Sequence, residues 1–145
     1  MHDQDIRWKQ RFQNFSRAFN LLRNALDSKD IGQYSDLELE GIVQRFEYTF
    51  ELGWKTLKDY LEYSGVIVEE ATPRKVIKAC TSHGIFATAG INPDVYISMM
   101  LERNILSHVY DHRHFVQAIN NIQAKHLHEL DLQHKYFAAK ELGNE

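Results

Sequence analysis

Trp8-Lys9-Gln10-Arg11-Phe12-Gln13-Asn14-Phe15-Ser16-Arg17-Ala18-Phe19-Asn20-Leu21-Leu22-Arg23-Asn24-Ala25-Leu26 carries Trp8, Phe12, Phe15, Phe19, Leu22 and Leu26 at steps of 4, 3, 4, 3 and 4. That is a heptad seam along one side of a helix, and no strand reading accommodates it. The seam predicts a helix from about Gln4 to Asp27. Its aromatic character suits small or flat packing partners. Exposed rings at other spacings would suit a base-stacking platform; heptad spacing points to core or dimer packing.

Outward from the seam, punctuation divides the chain into further helices. Asp30 to Tyr34, with Gly32, is a connection. Ser35-Asp36-Leu37-Glu38 is a capping box, in which the serine hydroxyl accepts from an early amide and the glutamate returns to the serine N–H. From it a helix runs to about Tyr63, with Leu39, Val43, Phe46, Phe50, Leu57 and Tyr60 in register. Gly53 falls where an apolar residue is due. A mid-helix glycine costs ~1 kcal/mol against alanine, so Gly53 marks a close helix–helix approach. Ser64-Gly65 ends this helix, and Val66 to Glu70 is irregular. Thr72-Pro73 starts a helix that closes at Gly84, and Asn92-Pro93-Asp94 starts another from Pro93 to about Tyr110. A last helix runs from about His114 to Leu142. The expected fold is all-α, an antiparallel up-and-down four-helix bundle with a short extra helix in the connection 65–92, as a single domain over 1–145.

Composition agrees. The 145 residues include only 2 prolines and 7 glycines, which favours long helices over a strand-and-turn protein. No run approaches the ~18 apolar residues of a membrane span, and the polar start MHDQDIRWKQ predicts no signal peptide. The lone Cys80 rules out an intramolecular disulfide and reads as a small buried residue rather than a nucleophile, so a cytoplasmic protein is expected. Net charge is −3, whereas a protein that holds nucleic acid by bulk electrostatics is basic. Any RNA or nucleotide site must be a local cluster.

Such a cluster stands at Glu102-Arg103-Asn104-Ile105-Leu106-Ser107-His108-Val109-Tyr110-Asp111. At 100° per residue, Arg103 and Tyr110 nearly superimpose, and Asn104 and His108 share a face about 100° round from Arg103. A guanidinium, an amide, an imidazole and a phenol then project over a limited arc, leaving Ile105, Leu106 and Val109 for the core. Arginine donates two parallel hydrogen bonds to phosphate and stays charged. Histidine exchanges a proton near neutral pH. The pair suffices for metal-free RNA cleavage by a 2′-hydroxyl, with arginine stabilising the phosphoryl charge. Spacing by itself is equally compatible with surface ion pairing.

Arg103-x4-His108-x-Tyr110, opened by Arg103-Asn104, resembles the signature of HEPN domains, especially those encoded beside a minimal nucleotidyltransferase. Trp8 to Phe15, Gln44 to Lys55, Pro73-Arg-Lys-Val-Ile77 and Ser107-His-Val-Tyr-Asp111 look like that group too, so the resemblance spans nearly the whole chain. It is closest to the subgroup of nucleotidyltransferase substrate-binding proteins. The resemblance implies a homodimer paired through the motif helices, with Arg103 and His108 as catalytic residues of one cleft that takes RNA or nucleotide, and Asn104 positioning substrate. It implies a minimal nucleotidyltransferase as partner, which silences a ribonuclease toxin by adenylating Tyr110. An alternative is a non-catalytic subunit presenting a nucleotide or other substrate to that partner.

Glu47 and Glu51, one turn apart, are a solvated like-charge pair relieved by Lys55, general acid/base carboxylates, or carboxylates that orient Arg103 from across the bundle. Glu47 is the expected polar partner of the cleft. His108, His112 and His114 invite a zinc reading, but the close cysteine or carboxylate that zinc sites add is missing. No metal and no cofactor is expected, and no Gly-rich phosphate loop occurs.

Overall fold

The aromatic seam is buried along its whole length: Trp8, Phe15, Phe19 and Leu22 are fully buried, with Phe12 and Leu26 nearly so. In the computed structural model, which describes residues 2–108 and 111–143, every regular element among the described residues is helical. They are α1 (His2–Ser28), a 3-10 turn (Ile31–Gln33), α2 (Asp36–Tyr63), α3 (Pro73–Ser82), α4 (Ile85–Ala89), α5 (Pro93–Leu106), α6 (His112–Asn121), a π-helical turn (Ile122–His126) and α7 (Leu127–Glu141). No helix among the described residues is long and apolar enough to cross a membrane.

α1 and α2 run antiparallel. Trp8 meets Tyr60 edge-on with ring centroids 5.2 Å apart. Arg11 Nε donates to Asp59 Oδ2 at 2.9 Å, Arg45 Nη1 donates to the Leu21 carbonyl at 3.1 Å, and Lys29 pairs with Glu38 at 2.7 Å. α7 crosses the same seam in the opposite sense to α1: Trp8 packs on Phe137, Phe12 and Phe19 on His134, and Arg23 pairs with Asp131 at 3.6 Å. Each fully buried large side chain in this layer contributes roughly 1.5–3 kcal/mol.

The predicted caps form. Ser35 Oγ accepts from the Glu38 amide at 3.1 Å while Glu38 Oε1 accepts from the Ser35 amide at 2.9 Å. Thr72 caps α3 and Asn92 caps α5. Two differences appear in the connection 65–92 and in the last helix. Where one short helix was expected, α3 and α4 follow each other, because Gly84 (φ 79°) and Gly90 (φ 78°) adopt left-handed conformations that break helical continuity. The last helix starts at His112, not His114, because the Asp111 side chain accepts from the His114 amide at 2.9 Å and caps it.

Gly53 is where α2 is approached most closely. A Cβ there would lie 3.1 Å from the Tyr96 hydroxyl and 3.2 Å from a Phe15 ring carbon. Tyr96 donates to Gln133 Oε1 at 2.6 Å, and Gln133 Nε2 donates to the Gly53 carbonyl at 2.8 Å. This fully buried network joins α2, α5 and α7. Gly53→Leu is expected to lower unfolding stability by about 1–3 kcal/mol, since overpacking forces the network apart; urea titration reads the change.

Candidate functional site

α5 ends earlier than expected, at Leu106 rather than near Tyr110. The Ser107 hydroxyl donates back to the carbonyls of Arg103 (3.3 Å) and Asn104 (2.9 Å), and the His108 amide donates to Ile105 O at 3.0 Å. These bonds occupy the carbonyls that the next helical turn would use. Asp111 must also be extended (φ −106°, ψ 152°) to cap α6. His108 therefore sits in a turn beyond the helix, and Tyr110 lies outside the described residues.

The motif side chains do not share one arc. Arg103 falls on the inward face of α5 with Tyr96, Met99 and Met100, all of them buried. Leu101, Asn104 and Ile105 fall on the opposite face, where His108 joins them around a shallow apolar depression. Ile105, expected in the core, is 52% exposed, and Leu101 is 46% exposed. Leu106 is buried as expected.

Arg103 reaches α2. Its Nη1 lies 3.5 Å from Glu51 Oε2 and its guanidinium stacks over Phe50, 5.2 Å from the ring centroid. Glu51 also accepts from Trp54 Nε1 at 3.0 Å and sits 3.4 Å from Lys55 Nζ. Partial burial raises the Glu47 carboxyl above its usual range, against the opposing pull of Arg103. Glu47 is thus in the field of Arg103, but the ion pair is made by Glu51. Arg103 Nε is buried with no hydrogen-bond partner among the described residues. This N–H is a donor left without a partner on the inner face of α5.

A second cluster, with no signal in the motif, stands on the next residue. Glu102 Oε1 accepts from Asn121 Nδ2 at 2.9 Å and faces His126 Nε2 at 3.8 Å. His126 is buried, stacked on Phe46, and comes from the π-helical turn, whose extra residue brings it inward. The facing His126 ring, then the Asn121 amide, hold the Glu102 carboxyl below its ordinary value although burial opposes them. This clasp ties the last turn of α5 to α6 and the π turn, and so sets where Arg103 begins. A carboxyl lowered by folding contributes stability above its unfolded value of about 4.5 and loses it as pH falls. The stability deficit of Glu102→Gln is therefore expected to be full near neutrality and to shrink below pH ~4, as measured by urea unfolding over that range.

His112 Nδ1 is 2.8 Å from Asp36 and His114 Nδ1 is 2.7 Å from Asp111. Among the described residues no group of three or more His, Cys, Asp or Glu side chains could hold a metal ion. Burial pushes the Cys80 thiol up to about 12, which keeps it protonated at neutral pH.

Residues 10–137 match the family described as nucleotidyltransferase substrate binding protein like. The chain belongs to that family. No curated protein matches it. In this member of the substrate-binding-like family, the matched region contains α2, the α3–α5 segment and the whole Arg103–His108 stretch, so the cluster built above lies inside the shared fold.

Proposed function

We propose that this chain is the HEPN-type partner of a separate minimal nucleotidyltransferase and that, as a homodimeric four-helix bundle, it cleaves RNA without metal. The observation that carries this reading is the end of α5. Its outer face exposes Leu101 and Ile105 one turn apart beside Asn104 and His108, while Arg103 keeps an unspent N–H on the inner face.

Exposed leucine and isoleucine at i,i+4 form a short apolar ridge, and a two-fold axis through it lets the same ridge cover itself. Such pairing brings both His108 side chains to the seam. The cleft is composite: the imidazole of one chain works with the guanidinium of the other, which is a quarter exposed and swings from Glu51 toward the seam when substrate binds. His108 takes the proton of the ribose 2′-hydroxyl, whose oxygen attacks the adjacent phosphorus. The 5′-oxygen leaves with the proton returned by the same imidazole, giving a 2′,3′-cyclic phosphate and a 5′-hydroxyl. Arg103 stabilises the charge on the phosphoryl oxygens, with Glu51 and Glu47 holding it in reserve from α2. Asn104 positions the substrate. The partner silences the cleft by transferring adenylate from ATP to the Tyr110 phenol with release of pyrophosphate, adding a bulky anion at the residue immediately before the α6 cap.

Purified chain is expected to cut single-stranded RNA in excess chelator. Incubation with the adjacent nucleotidyltransferase and ATP is expected to add adenylate mass to the wild type and none to Tyr110→Phe. Label appearing in a small molecule, with the protein unlabelled and RNA intact, would instead establish the substrate-presenting role, in which the Glu51-neutralised Arg103 is a binding group.

A further inference from the structure

The stretch Pro73-Arg74-Lys75-Val76-Ile77 has no part in the cleft, yet its helix places cations without carboxylate partners along a groove. Among the cations outside α3, Arg7, Lys9, Arg11, Arg23, Lys29, Lys55, Lys58, Arg103 and Lys135 stand within ion-pair distance of a carboxylate, and Arg17, Arg45, Arg113, Lys125 and Lys140 form no ion pair among the described residues. On α3, Arg74 and Lys78 form no ion pair among the described residues, and Lys75 donates to a backbone carbonyl, Glu70 O, at 3.4 Å. The preceding Glu69 and Glu70 carboxylates do not pair with them either. α3 has no acid in its first turn, where two of these cations face the positive end of the helix dipole. The arrangement costs stability, which a bound anion would recover.

These cations border a groove. Arg74, Lys78 and Ile77 of α3 face Pro93 and Ile97 of α5 across it, giving an apolar floor with a cationic wall. Ile97 is four residues before Leu101, so floor and outer ridge lie on one stripe of α5, which continues past Asn104 to His108. From Ile97 to Leu106, where α5 ends, is about 14 Å at helical rise, and His108 stands in the turn just beyond. A ligand starting at Arg74 and following this stripe arrives at the seam proposed above.

We propose that the α3–α5 groove is an entry track for single-stranded RNA, Arg74 and Lys78 meeting consecutive phosphodiesters while sugars and bases lie on Ile77, Pro93 and Ile97. The direction of the track rests on the ribonuclease reading; the binding does not. A cationic wall over an apolar floor fits a strand with alternating charged and flat faces better than it fits a free phosphate. It also accounts for how a chain of net charge −3 holds nucleic acid: the field is confined to one groove.

The test uses full-length His108→Ala protein and a fluorescein-labelled single-stranded oligoribonucleotide, read by anisotropy over a salt series. Adding Arg74→Glu and Lys78→Glu is expected to weaken binding at least about tenfold, and to reduce the slope of log affinity against log salt by about 1.4, or 0.7 per lost phosphate contact. Arg17→Glu with Lys140→Glu, the same charge change on α1 and α7, is the control. Thermal unfolding of the α3 variant is expected to stay level or rise, because an acid replaces a cation at the start of α3. Equal losses in both double variants, or none in either, overturn the proposal. So does AMP competing as well as the oligonucleotide, which would mark a mononucleotide pocket. So does loss of nucleotidyltransferase association with RNA binding unchanged, which would mark a protein-docking surface. Groove-dependent binding by a wild-type chain that never cuts RNA would sink the ribonuclease reading and leave the track standing.

Discussion

His108→Ala is expected to slow RNA cleavage by about 10²–10⁴-fold while leaving the fold unchanged, since a positioned general acid/base contributes that much. His108 is exposed in a turn beyond α5, so its truncation opens no cavity and strips no buried partner. Circular dichroism and urea unfolding should superimpose on the wild type. Arg103→Ala is expected to lose comparable activity, at a structural cost: it leaves Glu51 without its partner across α2–α5 and uncovers Phe50. Arg103→Lys separates the two effects. It keeps the charge beside Glu51 but cannot make the paired donation to phosphate, so activity stays low while stability returns.

Mixing the two inactive proteins tests whether the cleft is shared. If Arg103 of one chain serves His108 of the other, a heterodimer of Arg103→Ala and His108→Ala contains one intact pair. Random reassortment through a two-fold interface then restores about a quarter of wild-type activity. No recovery, with heterodimers demonstrated by mass, would mean that each chain carries its own complete site. The opposite placement of Arg103 and Asn104 on α5 makes that arrangement geometrically harder.

Much of this architecture is legible in the residues because its causes are local. Apolar side chains at helical period must be buried together, and Trp8 to Leu26 are. Ser35, Thr72 and Asn92 cap because an oxygen one to three residues ahead of free amides meets a need that every helix start has. What the sequence conceals is non-local. Glu47 and Glu51 are equivalent by spacing, and whether Arg103 pairs with one or the other depends on how α2 and α5 cross. The π-helical turn at Ile122–His126 has no residue signature, so neither the inward turn of His126 nor its meeting with Glu102 could be read. Ile105 misled for a related reason. α5 carries apolar side chains on both faces, and period does not say which face the chain itself covers.

That same ambiguity carries the second large prediction. Met99, Met100 and Leu106 occupy the covered face of α5, and Leu101 and Ile105 remain 46% and 52% exposed on the other. If a second copy covers them, Leu101→Glu with Ile105→Glu places four like charges at a two-fold seam, where facing acids repel and lose solvent together. The variant is expected to be monomeric by sedimentation or light scattering. It should be no less stable as a chain, because neither residue belongs to the core, and it should be as inactive as His108→Ala because the composite cleft is never assembled. RNA binding through the α3–α5 groove should persist in the monomer at reduced affinity, since that groove lies within one subunit. A charge-reversed version, Leu101→Lys with Ile105→Lys, should be monomeric alone yet form heterodimers with the glutamate variant and recover part of the cutting. A Leu101→Glu/Ile105→Glu protein that stays dimeric, or a monomer that still cuts RNA, would remove the two-fold seam from the mechanism and with it the reason for His108 and Arg103 to work from separate chains.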